Sequence, residues 1–258
     1  MRCAQAVAGG AVLAAMLAHA AGPAADTRRS GFDFMSPQTQ ALQRDDTLNP
    51  GMLWVLEGED LWGRRFGVSN RSCASCHGDA ASSMRGVAAR YPAFDALEGR
   101  AVDLGGRIQL CRVRNQWATS LAPESNDLLS LQSYVAFQSR GMSIAPDPDP
   151  RLDPWRETGR RLFNMRVGQL DLSCVQCHVA NAGQRLGGSV IPQAHPTGYP
   201  QYRLEWQGLG SLQRRLRGCM NGVRAEPYAY GAPELVALEL FLATRAAGMR
   251  IETPAVRP

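Results

Sequence analysis

The chain has 258 residues, 45% of them hydrophobic and 20% charged, a length that suits one large or two small domains. All 28 basic residues are Arg, set against 23 acidic ones, for a net charge of +5. That charge is mild and evenly spread, which excludes a nucleic-acid binder and suits a small anionic substrate or an acidic partner surface.

Residues 1–20, MRCAQAVAGGAVLAAMLAHA, read as a secretory signal. Arg2 gives a short positive start, an Ala/Val/Leu run follows, and Ala18-His19-Ala20 fits a small-x-small cleavage site. The run is too short and too Ala-rich to serve as an anchor of about 20 spanning residues. No second hydrophobic run appears, so the mature chain is expected outside the cytoplasm, in the periplasm, with no membrane span. Losing Arg2 leaves 27 basic against 23 acidic residues.

Residues 21–48 form a polar N-terminal arm. Asn49-Pro50-Gly51 then predicts a helix start, with Asn49 as N-cap and Pro50 in the first helical position. That helix runs through Leu53, Trp54 and Leu56 towards Trp62, Arg65 and Phe66. Cys73, Cys76 and His77 follow as C-x-x-C-H, and Arg107 to Cys111 (RIQLC) leads to a lone thiol. Asn126 is placed to cap the next helix, with Leu128, Leu131 and Val135 at i, i+3 and i+7, and Gly141 to end it. Residues 143–154, SIAPDPDPRLDP, read as a linker, since alternating Pro forbids helix and central strand.

The theme then repeats. Gly159-Arg160-Arg161 parallels Gly63-Arg64-Arg65, Cys174/Cys177/His178 parallels the first C-x-x-C-H, and Arg215 to Cys219 (RLRGC) parallels Arg107 to Cys111. Pro233 opens a last helix with Leu235, Leu238 and Leu242, and Gly248 closes it. The pairs 128/235, 131/238, 135/242 and 141/248 share one offset of 107. An internal duplication follows. The expected fold is mainly α: two tandem cytochrome c-like haem domains, 49–142 and 155–258, with long loops and an N-terminal arm.

Cysteine usage sharpens this. Of seven Cys, Cys3 leaves with the signal. Four of the remaining six belong to the C-x-x-C-H motifs, the pattern of c-type haem attachment, in which both thiols bond haem and the adjacent histidine faces iron. Cys111 and Cys219 are left over, one per half. They pair with each other as a disulfide, or each supplies a thiolate to its own iron. Their matching positions favour the second reading, with haem 1 held between His77 and Cys111 and haem 2 between His178 and Cys219. Met84, Met142, Met165, Met220, Met249 and His195 are the alternative distal ligands. Near Cys219 stand Arg214, Arg215, Arg217 and Arg224. Guanidinium groups lower a thiol's pKa and bind oxyanions through paired hydrogen bonds, although one or two of these belong to haem propionates on the plainer reading. If RRLRGC is helical, Arg215 and Cys219 share a face. Arg107 is the counterpart of Arg215, so position alone does not make Arg215 catalytic.

The arm SGFDFMSPQTQALQRDDTLNPGMLWV, the GVAARYPAFD segment, IPQAHPTGYPQYRLEWQ and GCMNGVRAEPYAYGAPELVALELFLATRAAGM together resemble the SoxA family, the dihaem subunits of SoxAX cytochromes. The resemblance spans nearly the whole mature chain. It implies a heterodimer with SoxX, a monohaem cytochrome, and oxidative coupling of thiosulfate to a cysteine of the carrier SoxY, with electrons leaving through haem c to an acceptor cytochrome c. It implies that Cys219 is the active-site cysteine and an axial ligand, often persulfidated, that Arg215 contacts substrate, and that Cys111 is the first haem's axial ligand. The rival readings are a dihaem electron carrier with no substrate of its own and a dihaem peroxidase.

Overall fold

The computed structural model describes residues 26–258; the expected signal segment, 1–20, lies outside the described residues. In chain order come α1 (Pro37–Arg44), α2 (Met52–Gly63), α3 (Ala74–His77) and α4 (Ala80–Ser83). The hairpin β1 (Ala93–Asp95) and β2 (Arg100–Val102) leads to α5 (Leu104–Cys111) and α6 (Asn126–Phe137). The second half has α7 (Asp153–Asn164), a small hairpin β3 (Arg185–Leu186) and β4 (Ser189–Val190), then β5 (Gln201–Arg203) and β6 (Gly208–Gly210). It ends with α8 (Leu212–Gly222), α9 (Pro233–Arg245) and β7 (Ala255–Arg257), which lies parallel to β5. Among the described residues no helix is long and apolar enough to cross a membrane.

Each half is built on one helix crossing, α2 on α6 and α7 on α9. A glycine sits at each crossing. A Cβ on Gly58 would overlap the Ser130 carbonyl, and one on Gly159 would overlap the Ala237 carbonyl. Glycine costs a helix interior about 1 kcal/mol relative to Ala, and here it lets two backbones touch. Around the crossings, Val55, Leu61 and Trp62 on α2 and Phe163 on α7 are buried against the apolar faces of α6 and α9.

The duplication is visible in three dimensions, with three offsets. Helices α2 and α7 and the C-x-x-C-H motifs are 101 residues apart. The hairpins and α5/α8 are 108 apart, because β3–β4 lengthens the second half. The contacts on α6 and α9 are 107 apart, as Ser130 and Ala237 show. This corrects the pairing of the two Gly-Arg-Arg runs. Gly159 corresponds to Gly58, not Gly63, because it must face a carbonyl of the partner helix. Arg65 corresponds to Arg166: Arg65 Nη1 donates to Asn70 O (2.9 Å) and Arg166 Nε to Asp171 O (2.8 Å).

Helix starts differ slightly from expectation. The side chain of Asn49 accepts from Gly51 N (2.9 Å) and its Nδ2 donates to Pro254 O (2.9 Å), so it closes a turn and ties the chain's two ends, while α2 begins at Met52. Ser125, not Asn126, caps α6, because its hydroxyl reaches Leu128 N. The arm is anchored: α1 packs on β7, where Val256 N donates to Gln43 Oε1 (3.1 Å), and Arg28 Nη1 donates to Ala247 O (2.8 Å).

The halves meet at a cavity of about 110 Å³ lined by Asp103, Gln132, Tyr199 and Glu239 among others. Asp103 Oδ2 accepts from Gln213 Nε2 (3.2 Å). Burial, then the charge of Asp103, pushes the Glu239 carboxyl well above the ordinary range, and burial raises Asp103 too. A raised folded pKa means that folding takes up a proton. The stability Glu239 contributes is therefore present below its ordinary pKa and lost as pH rises through the folded value. Position 132, its counterpart in the first half, already carries Gln. Glu239→Gln is expected to match the parent's melting temperature near pH 4.5 and to exceed it at pH 8 by about 3 °C, the response to roughly 1 kcal/mol in a chain of this size. A pH-independent difference would contradict this.

Candidate functional site

The first motif lies on a short turn of helix. Cys73 is the N-cap of α3, and Ser72 Oγ accepts from Ser75 N (3.0 Å) to shape the entry. Cys73 packs in an apolar cluster with Trp62, Ala80, Val135, Met84 and Leu104. The His77 ring lies 5.7 Å from that of Trp62, whose Nε1 donates to Gly78 O (3.0 Å). The second motif is set more firmly. Ser173 N donates to Gln176 Oε1 (2.8 Å), and Cys174 packs with Phe163, Leu238, Leu242, Leu216 and Phe241. His178 Nδ1 lies 2.7 Å from Pro192 O. A proton on Nδ1, donated to that carbonyl, leaves the Nε2 lone pair free to ligate a metal.

The lone thiols come next. Asp103 caps α5, which ends at Cys111, and Ser211 caps α8, which carries Cys219. The loop before each motif is hydrogen-bonded to the end of the thiol helix. Val68 N donates to Trp117 O (3.4 Å) and Ser69 N to Gln116 O (3.3 Å); Gln169 N donates to Arg224 O and Leu170 N to Val223 O, both 3.3 Å. Gly67 and Gly168 make the approach possible, with φ of 66° and 72° and no room for a Cβ beside the Gln116 and Val223 carbonyls. This link carries Cys111 to the Cys73/Cys76 pair and Cys219 to Cys174, close enough for their charges to be felt. Burial pushes the Cys73 and Cys111 thiols up; burial, then Cys219, pushes Cys174 up to about 11. Burial also lowers the pKa of His178, favouring the neutral imidazole a metal needs. None of the six described cysteines is in a disulfide.

Of the four arginines expected around Cys219, three point elsewhere. Arg214 lies over the Trp206 ring (4.1 Å), Arg217 bonds the Tyr228 carbonyl and lies over Tyr230 (4.5 Å), and Arg224 is exposed in the turn after α8. Arg215 stays with Cys219, four residues earlier on one helix face. Burial works against its charge, but the negative potentials of Cys219, Tyr199 and Glu205 outweigh it and raise its pKa. Tyr199 and Arg203 complete the surroundings of Arg215. Sequence reasoning missed both; the signal was the offset of 108 from Tyr91 and Asp95.

Three of the six alternative distal ligands have other contacts. His195 Nδ1 faces Arg29 O of the arm at 2.9 Å. Met249 packs on a separate cluster of Ala89, Ile144 and Ala246, and Met142 lies against Gly86. Met84 remains beside Cys73.

The donor set fits haem c. Among the described residues no three of His, Cys, Asp and Glu converge as a metal site. What each half offers is two thiols, one adjacent histidine and one further thiol in an apolar setting, which suits an iron whose equatorial positions belong to a macrocycle.

Helical crossings with C-x-x-C-H loops, repeated twice, define a tandem c-type cytochrome. The family model "SoxA/TsdA, cytochrome c domain" matches residues 57–144 and 158–251. The chain is 38% identical to the L-cysteine S-thiosulfotransferase subunit SoxA of Pseudaminobacter salicylatoxidans, covering 90% of this chain and 82% of that one. It is 36% identical to the protein of the same name from Rhodovulum sulfidophilum, covering 90% and 81%. The crystal structure of SoxXA from P. pantotrophus superposes with a TM-score of 0.87 at 34% identity, covering 90% of this chain and 88% of that one. This chain belongs to the SoxA/TsdA cytochrome c family.

Gly168→Ala is expected to cost at least about 1 kcal/mol more than Gly183→Ala in urea unfolding, since both replace a left-handed glycine but only Gly168 also meets a carbonyl. Equal costs would mean that the loop and α8 are not held together there.

Proposed function

We propose that the chain is the dihaem subunit of a SoxAX-type L-cysteine S-thiosulfotransferase, which couples thiosulfate to a cysteine of the carrier SoxY. The observation that carries this is Arg215 standing one turn before Cys219 on α8, with a pKa raised by that thiol, beside the second C-x-x-C-H. The likeness to the SoxA proteins named above supports it. In this reading Cys73, Cys76, His77 and Cys111 would hold one haem c, and Cys174, Cys177, His178 and Cys219 a second. SoxX is the partner subunit, an acceptor cytochrome c receives the electrons, and residues 1–20 direct export to the periplasm. The bound haems supply electron acceptors.

Arg215 holds the sulfonate end of thiosulfate by paired charge-assisted hydrogen bonds and presents its outer sulfur to Cys219. Cys219, or its persulfide, forms a sulfur–sulfur bond with that outer sulfur. The SoxY thiol then attacks the outer sulfur, taking the sulfonate-bearing sulfur with it, and the Cys219 sulfur is the leaving group. The net change, thiosulfate plus thiol to S-thiosulfonate, releases two electrons and one proton. Arg107 does not repeat the role: Asp95 binds it at 2.6 Å, so its charge is spent within the fold.

Cys219→Ser is expected to abolish thiosulfate turnover with SoxY and SoxX. Turnover that survives in the variant would remove Cys219 as the reactive sulfur, and no thiosulfate turnover even in the parent would leave the electron-carrier reading standing. Arg215→Ala is expected to lower kcat/KM for thiosulfate by at least about tenfold, the worth of one charge-assisted hydrogen bond, with both haem spectra intact. Cys111→Ala is expected to alter the first haem's spectrum and spare coupling at Cys219.

A further inference from the structure

The two halves place the same backbone around their lone thiols but pair their arginines differently. In the first half Asp95 is buried, its side chain 3% exposed, and Arg107 Nη1 and Arg114 Nη1 reach its Oδ2 at 2.6 and 3.1 Å. Arg114 Nη2 also meets Glu98 Oε1 at 2.5 Å. The Arg114 hydrogen bond, aided by Arg107, holds the Asp95 carboxyl down to about 2. Arg100 Nε also lies 3.7 Å from Glu98 Oε2, so three guanidinium groups share two carboxylates, and Arg107 and Arg114 are both held by an acid. Tyr91 closes it, with its hydroxyl accepting from Arg107 Nε at 3.2 Å.

In the second half the offset of 108 puts Arg203 where Asp95 stands, Trp206 where Glu98 stands, Arg215 where Arg107 stands and Gly222 where Arg114 stands. The register confirms the equivalence: Asp95 pairs with Arg100 across the first hairpin, and Arg203 with Gly208 across the second. Both acids are gone. Arg203 and Arg215 lie close enough that, after burial, the Arg215 charge is the next force lowering the Arg203 pKa. The Arg203 side chain is 11% exposed and its guanidinium lies over the Trp206 ring at 5.2 Å, so it is held in place. Its one carboxylate partner is Glu205, at 2.7 Å and half exposed, and Arg215 makes no ion pair among the described residues. Two guanidinium groups against one surface carboxylate leave excess positive charge around Arg215, one turn before Cys219. Like charges held half-buried together need an anion between them.

We propose that Arg203 and Arg215 form a two-guanidinium clamp for the oxyanion end of a doubly charged sulfur oxyanion, and that Arg203 confers the anion selectivity that Asp95 denies the first half. The inference rests on Cys219 being the reactive sulfur. Arg203 acts by binding, so its loss falls on KM more than on kcat.

The test uses the holo-complex, with thiosulfate binding followed by calorimetry and turnover followed with carrier thiol. Arg203→Gln is expected to raise Kd and KM about tenfold, with kcat changed far less and haem absorption unaltered. Arg203→Lys, which keeps the charge but loses the fork, is expected to recover part of that loss. Glu205→Gln is expected to tighten binding about threefold, since it frees Arg203 from its competitor. Unchanged affinity in Arg203→Gln, or weaker or unchanged binding in Glu205→Gln, would overturn the clamp, the second outcome holding even if Arg203→Gln fails to fold. Thiosulfate binding that depends on Arg203, without any coupling to the carrier thiol, would instead sink the proposed function and keep the clamp.

Discussion

Each half depends on a backbone-to-backbone seam between the loop before its C-x-x-C-H and the end of its thiol helix. Gly67 and Gly168 make the seam, because only glycine takes the left-handed turn without striking the facing carbonyl. The seam carries the lone thiol to the cysteines of the motif. The crossings at Gly58 and Gly159 do the complementary task of fixing where the motif itself sits. Remove either contact and two groups separated by about 40 residues of chain have no reason to share one site.

On this common frame the halves have diverged in charge. The first spends its arginines on Asp95 and Glu98, which stiffens the β1–β2 turn and the end of α5. The second replaces both acids, so the same positions hold a guanidinium whose one acid partner is the half-exposed Glu205, and an aromatic ring. Exchanging a buried carboxylate for a guanidinium deprives Arg215 of the acid that holds Arg107, without moving the backbone, since the hairpin register is unchanged. A duplicated fold can thus keep one half for structure or electron relay and turn the other to substrate. The interface carries its own asymmetry: Gln132 faces the cavity from one side and Glu239, a carboxyl whose pKa burial pushes well above the ordinary range, from the other.

Much was legible in the sequence because it was written in local spacing. The C-x-x-C-H pairs, the RIQLC and RLRGC runs and the periodic leucines of α6 and α9 each depend on residues within a turn or two of one another. So does the helical face shared by Arg215 and Cys219. The Gly-Arg-Arg parallel failed for the converse reason. Identical letters at an offset of 96 looked equivalent, while the true offset of 101 answers to a requirement set by another helix, a glycine opposite a carbonyl. The cluster of arginines around Cys219 was likewise overcounted. Adjacent residues on a helix point in different directions, and Trp206, Tyr228 and Tyr230, which draw Arg214 and Arg217 away, lie outside α8 in the segments before and after it.

By itself the sequence determined that this is a duplicated, mainly helical chain with two haem-attachment motifs and two spare thiols, because covalent chemistry and helical periodicity act over a few residues. Only the tertiary structure decided which arginine keeps its charge, which glycines hold the seams and that Arg203 stands in the place of a buried acid. Those outcomes follow from which side chains packing brings within a few ångströms, where a partner's charge and the loss of water outweigh any preference the residue has in isolation.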